Sequence, residues 1–126
     1  MGNFDIDLDF GQIYEQKIKE LFEGDGSIEV KTERDIWADT GNMAIEIRSR
    51  GKPSGISITD AKWWVHNFTI DGDIKFSMLF KVDKLRKAVK YLYLNELASI
   101  VKGGDNNTSD IILAPISTLI LLNKKF

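Results

Sequence analysis

The sequence predicts a mixed α/β or α+β fold, and three observations lead to this prediction. Segments in which apolar and polar residues alternate, as in strands, are interspersed with two segments of helical spacing. The hydrophobic content of 43% is enough for a core. The length of 126 residues fits a single domain, 1–126. We therefore expect a central mixed sheet that is flanked by helices.

The first half of the chain is expected to form a short strand, a helix and two more strands. Residues 4–10 alternate apolar residues with aspartates, which predicts a short strand or an extended arm. Residues 11–23 have apolar residues on one helical face and end at Gly24, so we expect a helix that covers the sheet. Residues 27–32 and 43–50 alternate again, and we expect them to pair as antiparallel neighbours.

The second half is expected to hold a hairpin, a long helix, a short strand and a final helical turn. Residues 63–70 and 74–81 flank an Asp-Gly-Asp turn signal and predict the hairpin. Residues 83–102 keep near-helical spacing and predict the longest helix. Residues 111–114 predict a strand and residues 117–122 a helical turn. The long helix should pack on the sheet through Leu85, Val89, Leu92 and Ile100.

Composition excludes several classes of function. Seventeen basic and nineteen acidic residues give a net charge of -2, so binding of nucleic acid through bulk positive charge is excluded. The absence of cysteine excludes disulfides and thiolate catalysis and fits a cytoplasmic protein. A single histidine excludes a multi-histidine metal cluster. The sequence contains no stretch long enough for a membrane helix and no glycine-rich phosphate loop, so we expect neither a membrane nor a nucleotide cofactor as partner.

The triplet Glu29-Val30-Lys31 is the most informative chemical feature. On a strand, Glu29 and Lys31 point to the same side and present a carboxylate beside an ammonium group. Magnesium prefers one or two carboxylates together with phosphate and water, and a lysine can orient the attacking water. The alternative is that both residues lie on the solvated face of an amphipathic strand.

The expected hairpin suggests a second acid. Symmetric pairing of residues 27–32 with 43–50 would place Glu29 opposite Glu46, with Cβ atoms about 5 Å apart. A metal ion, or a raised pKa of one carboxyl group, would relieve the repulsion between them. A register shifted by two residues would instead pair Glu46 with Lys31 as an ordinary ion pair, and both alternatives remain open.

The order of these residues resembles the PD-(D/E)XK nuclease superfamily. A helix with Glu15 is followed by Asp25 and by Glu29-x-Lys31 on a strand. The matched pieces span about residues 11–66 and 103–116, and they are similar to a family of small phage-encoded proteins of this class. These pieces are Ile28-Glu-Val-Lys-Thr, Thr40-Gly-Asn, Ala44-Ile-Glu, Gly51-Lys-Pro-Ser-Gly-Ile, Thr59-Asp-Ala-Lys-Trp-Trp and Gly103-Gly-Asp-Asn-Asn-Thr-Ser.

This resemblance implies a restriction-endonuclease-like fold and cleavage of DNA with Mg²⁺ or Mn²⁺. It implies that Glu15, Asp25, Glu29 and Lys31 are catalytic and that Asp25 and Glu29 bind the metal. Asp25 precedes Glu29 by four residues, which is about 13 Å along an extended strand and too far for one ion. Either the glycines that flank Asp25 bend the chain, or Glu46 is the better second metal ligand.

Other residues are candidates for contacts with nucleic acid. Arg48 and Lys52 follow Glu46 and are expected to contact phosphates. The alternative is that both residues lie at a solvated strand end and bind nothing. Trp63, Trp64 and Phe68 have the chemistry to stack on bases, but core packing is the better interpretation, and we interpret His66 as structural. The acidic pI of about 5.4 supports an alternative function, a catalytically inactive nuclease-fold protein that binds DNA or a host protein. A homodimer would supply additional binding surface.

Overall fold

The computed structural model describes the backbone of residues 2–24 and 27–126, and the side chains of residues 9–24 and 27–126. Within these ranges, no helix is long and apolar enough to cross a membrane. The helices are α1 (Gly2–Glu23), α2 (Ile36–Thr40), α3 (Val82–Leu94) and α4 (Ile116–Lys125). The strands are β1 (Ile28–Glu33), β2 (Asn42–Ser49), β3 (Lys52–Pro53), β4 (Trp63–Ile70), β5 (Asp73–Lys81), β6 (Ser99–Gly103) and β7 (Ser109–Pro115).

The strands form two sheets and not one central sheet. Together with the helices they make the chain a mixed α/β protein. One sheet has the order β1-β4-β5, with β1 parallel to β4 and β4 antiparallel to β5. The other has the order β3-β2-β7-β6, and all of its neighbours are antiparallel. The predicted hairpin of residues 63–70 and 74–81 is confirmed as β4 and β5.

Helix α3 packs against both sheets, since it contacts β5 and β7 as well as α4. Its apolar residues recur every three or four positions, which places them on one face. Leu85, Val89 and Leu92 are buried there, as the sequence predicts. The other large buried side chains of the core come mainly from β2, β4 and β7: Met43, Ile45, Ile47, Trp64, Phe68 and Ile112.

The prediction of a strand at residues 4–10 is wrong, because these residues belong to α1. A strand needs a partner for its backbone groups, whereas a helix satisfies them locally, so a segment without a partner strand extends the helix that follows. The expected cover of the sheet by helix 11–23 is also wrong. Residues 9–20 are exposed, and Leu21 is only half-buried.

The predicted pairing of residues 27–32 with 43–50 is wrong. β1 pairs with β4, from Ile28 opposite Trp63 to Glu33 opposite Phe68, and β2 pairs with β7. The segment between β1 and β2 forms α2 and not a tight turn, and this helix ends at Gly41 in the left-handed region. β4 lies in the centre of its sheet, between the edge strands β1 and β5, and it is therefore buried over most of its length.

The predicted helix 83–102 is too long. It ends at Leu94, and Glu96 follows with a positive φ of 54°. Residues 99–103 form β6 instead, because the β-branched pair Ile100-Val101 favours a strand once a turn has interrupted the helix. Ile100 is exposed on β6 and does not contact the sheet from a helix. The strand at 111–114 and the helical turn at 117–122 are confirmed and are longer than predicted.

The end of α3 gives a matched pair of substitutions. Leu92 is fully buried and Leu94 is 65% exposed. Leu92→Ala should lower the free energy of unfolding by about 2–5 kcal/mol, because it removes buried methyl groups and leaves a cavity. Leu94→Ala should change it by less than about 0.5 kcal/mol. Urea denaturation of both variants measures these values, and equal losses would contradict the position of α3.

Candidate functional site

Glu29 and Lys31 point to the same side of β1, as their spacing predicts. The Lys31 ammonium lies 3.6 Å from a carboxylate oxygen of Glu29 and 5.8 Å from the centre of the Trp64 ring. The two side chains are 37% and 46% exposed. An ion pair that is this exposed contributes no more than about 1 kcal/mol, so a ligand can separate the two groups at little cost.

A cavity of about 270 Å³ lies where the two sheets meet, and it contains both Lys31 and Glu46. β1 and β4 provide one wall, and β2 and β7 provide the other. The lining residues are Lys31, Thr32, Glu33, Ala44, Glu46, Trp64, His66 and Ile111. The site therefore combines a cation from one sheet with a carboxylate from the other.

The predicted position of Glu46 is wrong in both of its alternatives. In the sheets, Glu29 lies opposite Trp64 and Glu46 lies opposite Ile111, so no hairpin places Glu46 across from Glu29 or Lys31. Glu46 reaches the cavity of Lys31 by a different route. β2 lies near β1 without pairing with it, and the backbone N–H of Ala44 in β2 bonds to Glu33 of β1. A hairpin prediction, which considers only strand pairing, does not include this contact.

A chain of hydrogen bonds joins residues of the cavity wall, from Trp64 to the backbone of β2. The Trp64 indole N–H donates to Nδ1 of His66 at 3.0 Å. Because Nδ1 accepts this bond, Nε2 carries the proton of the neutral ring and donates to Oε1 of Glu33 at 2.9 Å. The backbone N–H of Ala44 donates to the same carboxylate oxygen at 2.5 Å.

Glu33 therefore joins the two sheets. It is the last residue of β1, and its carboxylate accepts one bond from β4 and one from β2. Its side chain is only 15% exposed and His66 is 2% exposed, so these bonds are shielded from water. The interpretation of His66 as structural is consistent with this burial and bonding. Glu33 was not predicted as a site residue, although its position two residues after Lys31 places it on the same strand face as Glu29 and Lys31.

The other predicted acids are not brought into this cavity by the described part of the chain. Glu15 is exposed on α1 and is not among the residues that line the cavity. Asp25 lies outside the described residues, so its place in the site stays a prediction. Among the described side chains, those of residues 9–24 and 27–126, no three His, Asp or Glu are grouped closely enough to hold a metal ion.

The two predicted phosphate contacts differ in their surroundings. Arg48 donates from Nε to Oδ2 of Asp110 at 2.9 Å, whereas Lys52 is exposed on β3. Asp110 also accepts a hydrogen bond from the Lys102 ammonium. Hydrogen bonds from Lys102 and Arg48 hold the pKa of Asp110 below its usual value of 3.8, and the bond to Asp110 raises the pKa of Arg48. Arg48 is thus already engaged with a carboxylate.

Two of the three aromatic residues of β4 that are candidates for stacking pack inside the protein, whereas Trp63 is half-buried, with the Lys81 ammonium 5.8 Å from its ring centre. Trp64 and Phe68 are buried, and Phe68 packs edge-on against Trp37 with ring centres 5.4 Å apart. Core packing is therefore confirmed for both, and neither presents a ring face for stacking on a base.

Fold and cavity define a mixed α/β protein with a polar cleft between two sheets. Comparisons of the chain with models of protein families, with curated proteins and with solved structures gave no match. The function must therefore be inferred from the cleft itself.

The bonds of Asp110 predict a pH dependence of stability. A carboxyl group whose pKa is lower in the folded than in the unfolded chain stabilises the fold above its unfolded value, and this stabilisation is lost as the pH falls through the folded value. Asp110→Asn should therefore be less stable than the parent at about pH 6, and the difference should be smaller at about pH 3, below the usual carboxyl pKa of 3.8. Denaturation at both pH values measures it, with the exposed Asp60→Asn as the control. A constant difference at both pH values would contradict the role of Asp110.

Proposed function

We propose that the chain is a metal-dependent phosphodiesterase of the PD-(D/E)XK type that cleaves DNA with Mg²⁺ or Mn²⁺. The observation that carries this proposal is the meeting of Lys31 and Glu46 at one cavity, together with the ion pair that Lys31 forms with Glu29, a residue outside the cavity lining. Two carboxylates beside one lysine are the groups that phosphodiester hydrolysis with a metal requires. The order of acidic and basic residues along the chain supports the same class.

The donor set fits a hard divalent cation. Glu46 provides a carboxylate in the cavity, and Glu29, which pairs with Lys31 outside the cavity lining, is the second candidate carboxylate. Magnesium takes one or two carboxylates and keeps several waters. Asp25 and Glu15 are the further acids that the resemblance assigns to the site. When bound, the ion would polarise the phosphate and lower the pKa of a coordinated water.

Lys31 has two properties that suit an active-site cation. Its ammonium group lies at the cavity surface, and its weak pairing with Glu29 leaves it able to contact a phosphate or an attacking water. Thr32 also lines the cavity, but its hydroxyl group accepts a hydrogen bond from Asn67 at 3.4 Å and is not assigned to the water. On the opposite wall, the side chains of Ala44 and Ile111 limit the access of bulk water.

Binding of DNA as the substrate requires local contacts between protein side chains and the DNA phosphate backbone. A net charge of -2 provides no general attraction, so individual cations must contact the phosphates. Lys31 and Lys52 are exposed and suit this role, whereas Arg48 is already bound to Asp110. A second copy of the chain would double the number of contacts. A DNA substrate and a chain without cysteine also fit a cytoplasmic location.

The alternative function is a nuclease-fold protein that binds DNA or a host protein without cleaving it. One observation favours it: where side chains are described, over residues 9–24 and 27–126, the acids do not form a group of three that could hold an ion. In that case Glu29 and Lys31 serve as a surface ion pair. Calorimetric titration with Mn²⁺ separates the two functions, because only the phosphodiesterase requires a divalent ion.

Cleavage assays on linear, nicked and branched DNA with Mg²⁺ or Mn²⁺ test the leading proposal. The parent should cleave at least one substrate, and Lys31→Ala and Glu46→Gln should each lower the rate by at least about 100-fold, because they remove groups that act on the reacting phosphate. Lys75→Ala and Glu96→Gln are matched controls, since both residues are exposed and neither lines the cavity. Cleavage by neither parent nor variants, together with no Mn²⁺ binding, would contradict the proposal and favour the alternative.

A further inference from the structure

A second cavity, of about 360 Å³, lies on the other face of β2. Ile47 of β2 lines it and is buried in the core together with Ile45, whereas Glu46 lines the first cavity. The remaining walls are β3, the short 3-10 turn Gly55–Ser57 and α3. This cavity is therefore separate from the cleft that contains Lys31.

The base of this second cavity is apolar and its rim is cationic. Ile47, Ile56 and Val89 line it and are almost completely buried. Arg48, Arg86 and Lys90 surround these apolar residues, and Tyr93 contributes a phenol. Such a site suits a ligand with an apolar body and a negative charge.

The three cations are unequally engaged with other groups. Arg48 is paired with Asp110 at 2.9 Å. Arg86 donates to the backbone carbonyl oxygens of Ile56 and Thr59 at 2.9 and 3.0 Å, which fixes its guanidinium group and leaves further N–H groups free for a ligand. Lys90 follows Arg86 by four residues on α3, so two like charges are neighbours on one helical face. An anion at the rim would relieve this repulsion.

The shape of the cavity depends on Gly55. Its φ is 54°, and a Cβ at this position would collide with the backbone carbonyl oxygen of Glu46, so only glycine lets the turn lie this close to β2. The hydroxyl group of Ser57 donates to the carbonyl oxygen of Ile47 at 2.8 Å and anchors the other end of the turn. Since both ends of the turn are fixed, the cavity is present without a ligand.

We propose that this cavity binds a small organic anion, with its apolar body on Ile47, Ile56 and Val89 and its carboxylate or phosphate at Lys90 and Arg86. The volume falls within the range of about 300–1,000 Å³ that is usual for small-molecule sites, which favours a free small molecule over a macromolecule. The proposal does not depend on phosphodiesterase activity, because it involves neither Lys31 nor Glu46.

Two probes that differ only in the charged group test this proposal. 4-Phenylbutyrate and 3-phenylpropylamine share one apolar body, a phenylpropyl group, and calorimetry or methyl chemical shifts of Ile56 and Val89 report their binding. We expect the carboxylate to bind with a Kd of about 1 mM or tighter, and at least about tenfold more tightly than the amine. Lys90→Glu should weaken carboxylate binding by at least about tenfold.

Lys87→Glu is the matched control, because Lys87 is exposed on the same helix and does not line the cavity. It should bind the carboxylate as the parent does, and thermal melts should show that both variants are folded. Equal binding of the two probes, absence of binding at about 10 mM, or equal losses in Lys87→Glu and Lys90→Glu would overturn the proposal.

Discussion

The carboxylate of Glu33 is the constraint on which the arrangement of the two sheets depends. Its Oε1 atom accepts two hydrogen bonds, one from His66 of β4 and one from the backbone N–H of Ala44 in β2. Leaving a shielded N–H group without a partner costs about 1–3 kcal/mol, and removing Glu33 would leave two such groups unpaired. The Trp64 indole fixes the tautomer of His66 and thus the direction of its donor.

This connection explains how the candidate site is assembled. Lys31 lies on β1, two residues before Glu33. Glu46 lies on β2, two residues after Ala44. Because Glu33 holds β1 beside β2, the two side chains reach the same cavity although their strands belong to different sheets. On its other face, β2 contributes Ile47 to the core and to the second cavity. One strand thus supports two separate cavities.

The sequence predicted the features that depend on neighbouring residues. The common face of Glu29 and Lys31 and the β4–β5 hairpin follow from alternation and from a turn, which are local properties. The partner of β1 could not be predicted in this way, because β1 and β4 pair across 35 positions of sequence and only tertiary packing selects that partner. For the same reason the approach of Glu46 to Lys31 was assigned to the wrong pairing. Alternation places Glu33 on the strand face of Lys31, but no sequence pattern marks its bond to the distant backbone N–H of Ala44, and for that reason its role was missed.

Hydrogen exchange of the Ala44 amide tests the central claim most directly. In the parent this amide should be protected, because its partner is the shielded carboxylate of Glu33. In Glu33→Ala it should exchange at least about tenfold faster relative to the Ile45 amide, which the alternation of the strand directs towards β7. The conservative Glu33→Gln variant, which retains an acceptor oxygen, should lie between the two. An Ala44 amide that exchanges freely in the parent, or a rate relative to Ile45 that is unchanged in Glu33→Ala, would contradict the role of Glu33 in joining the sheets.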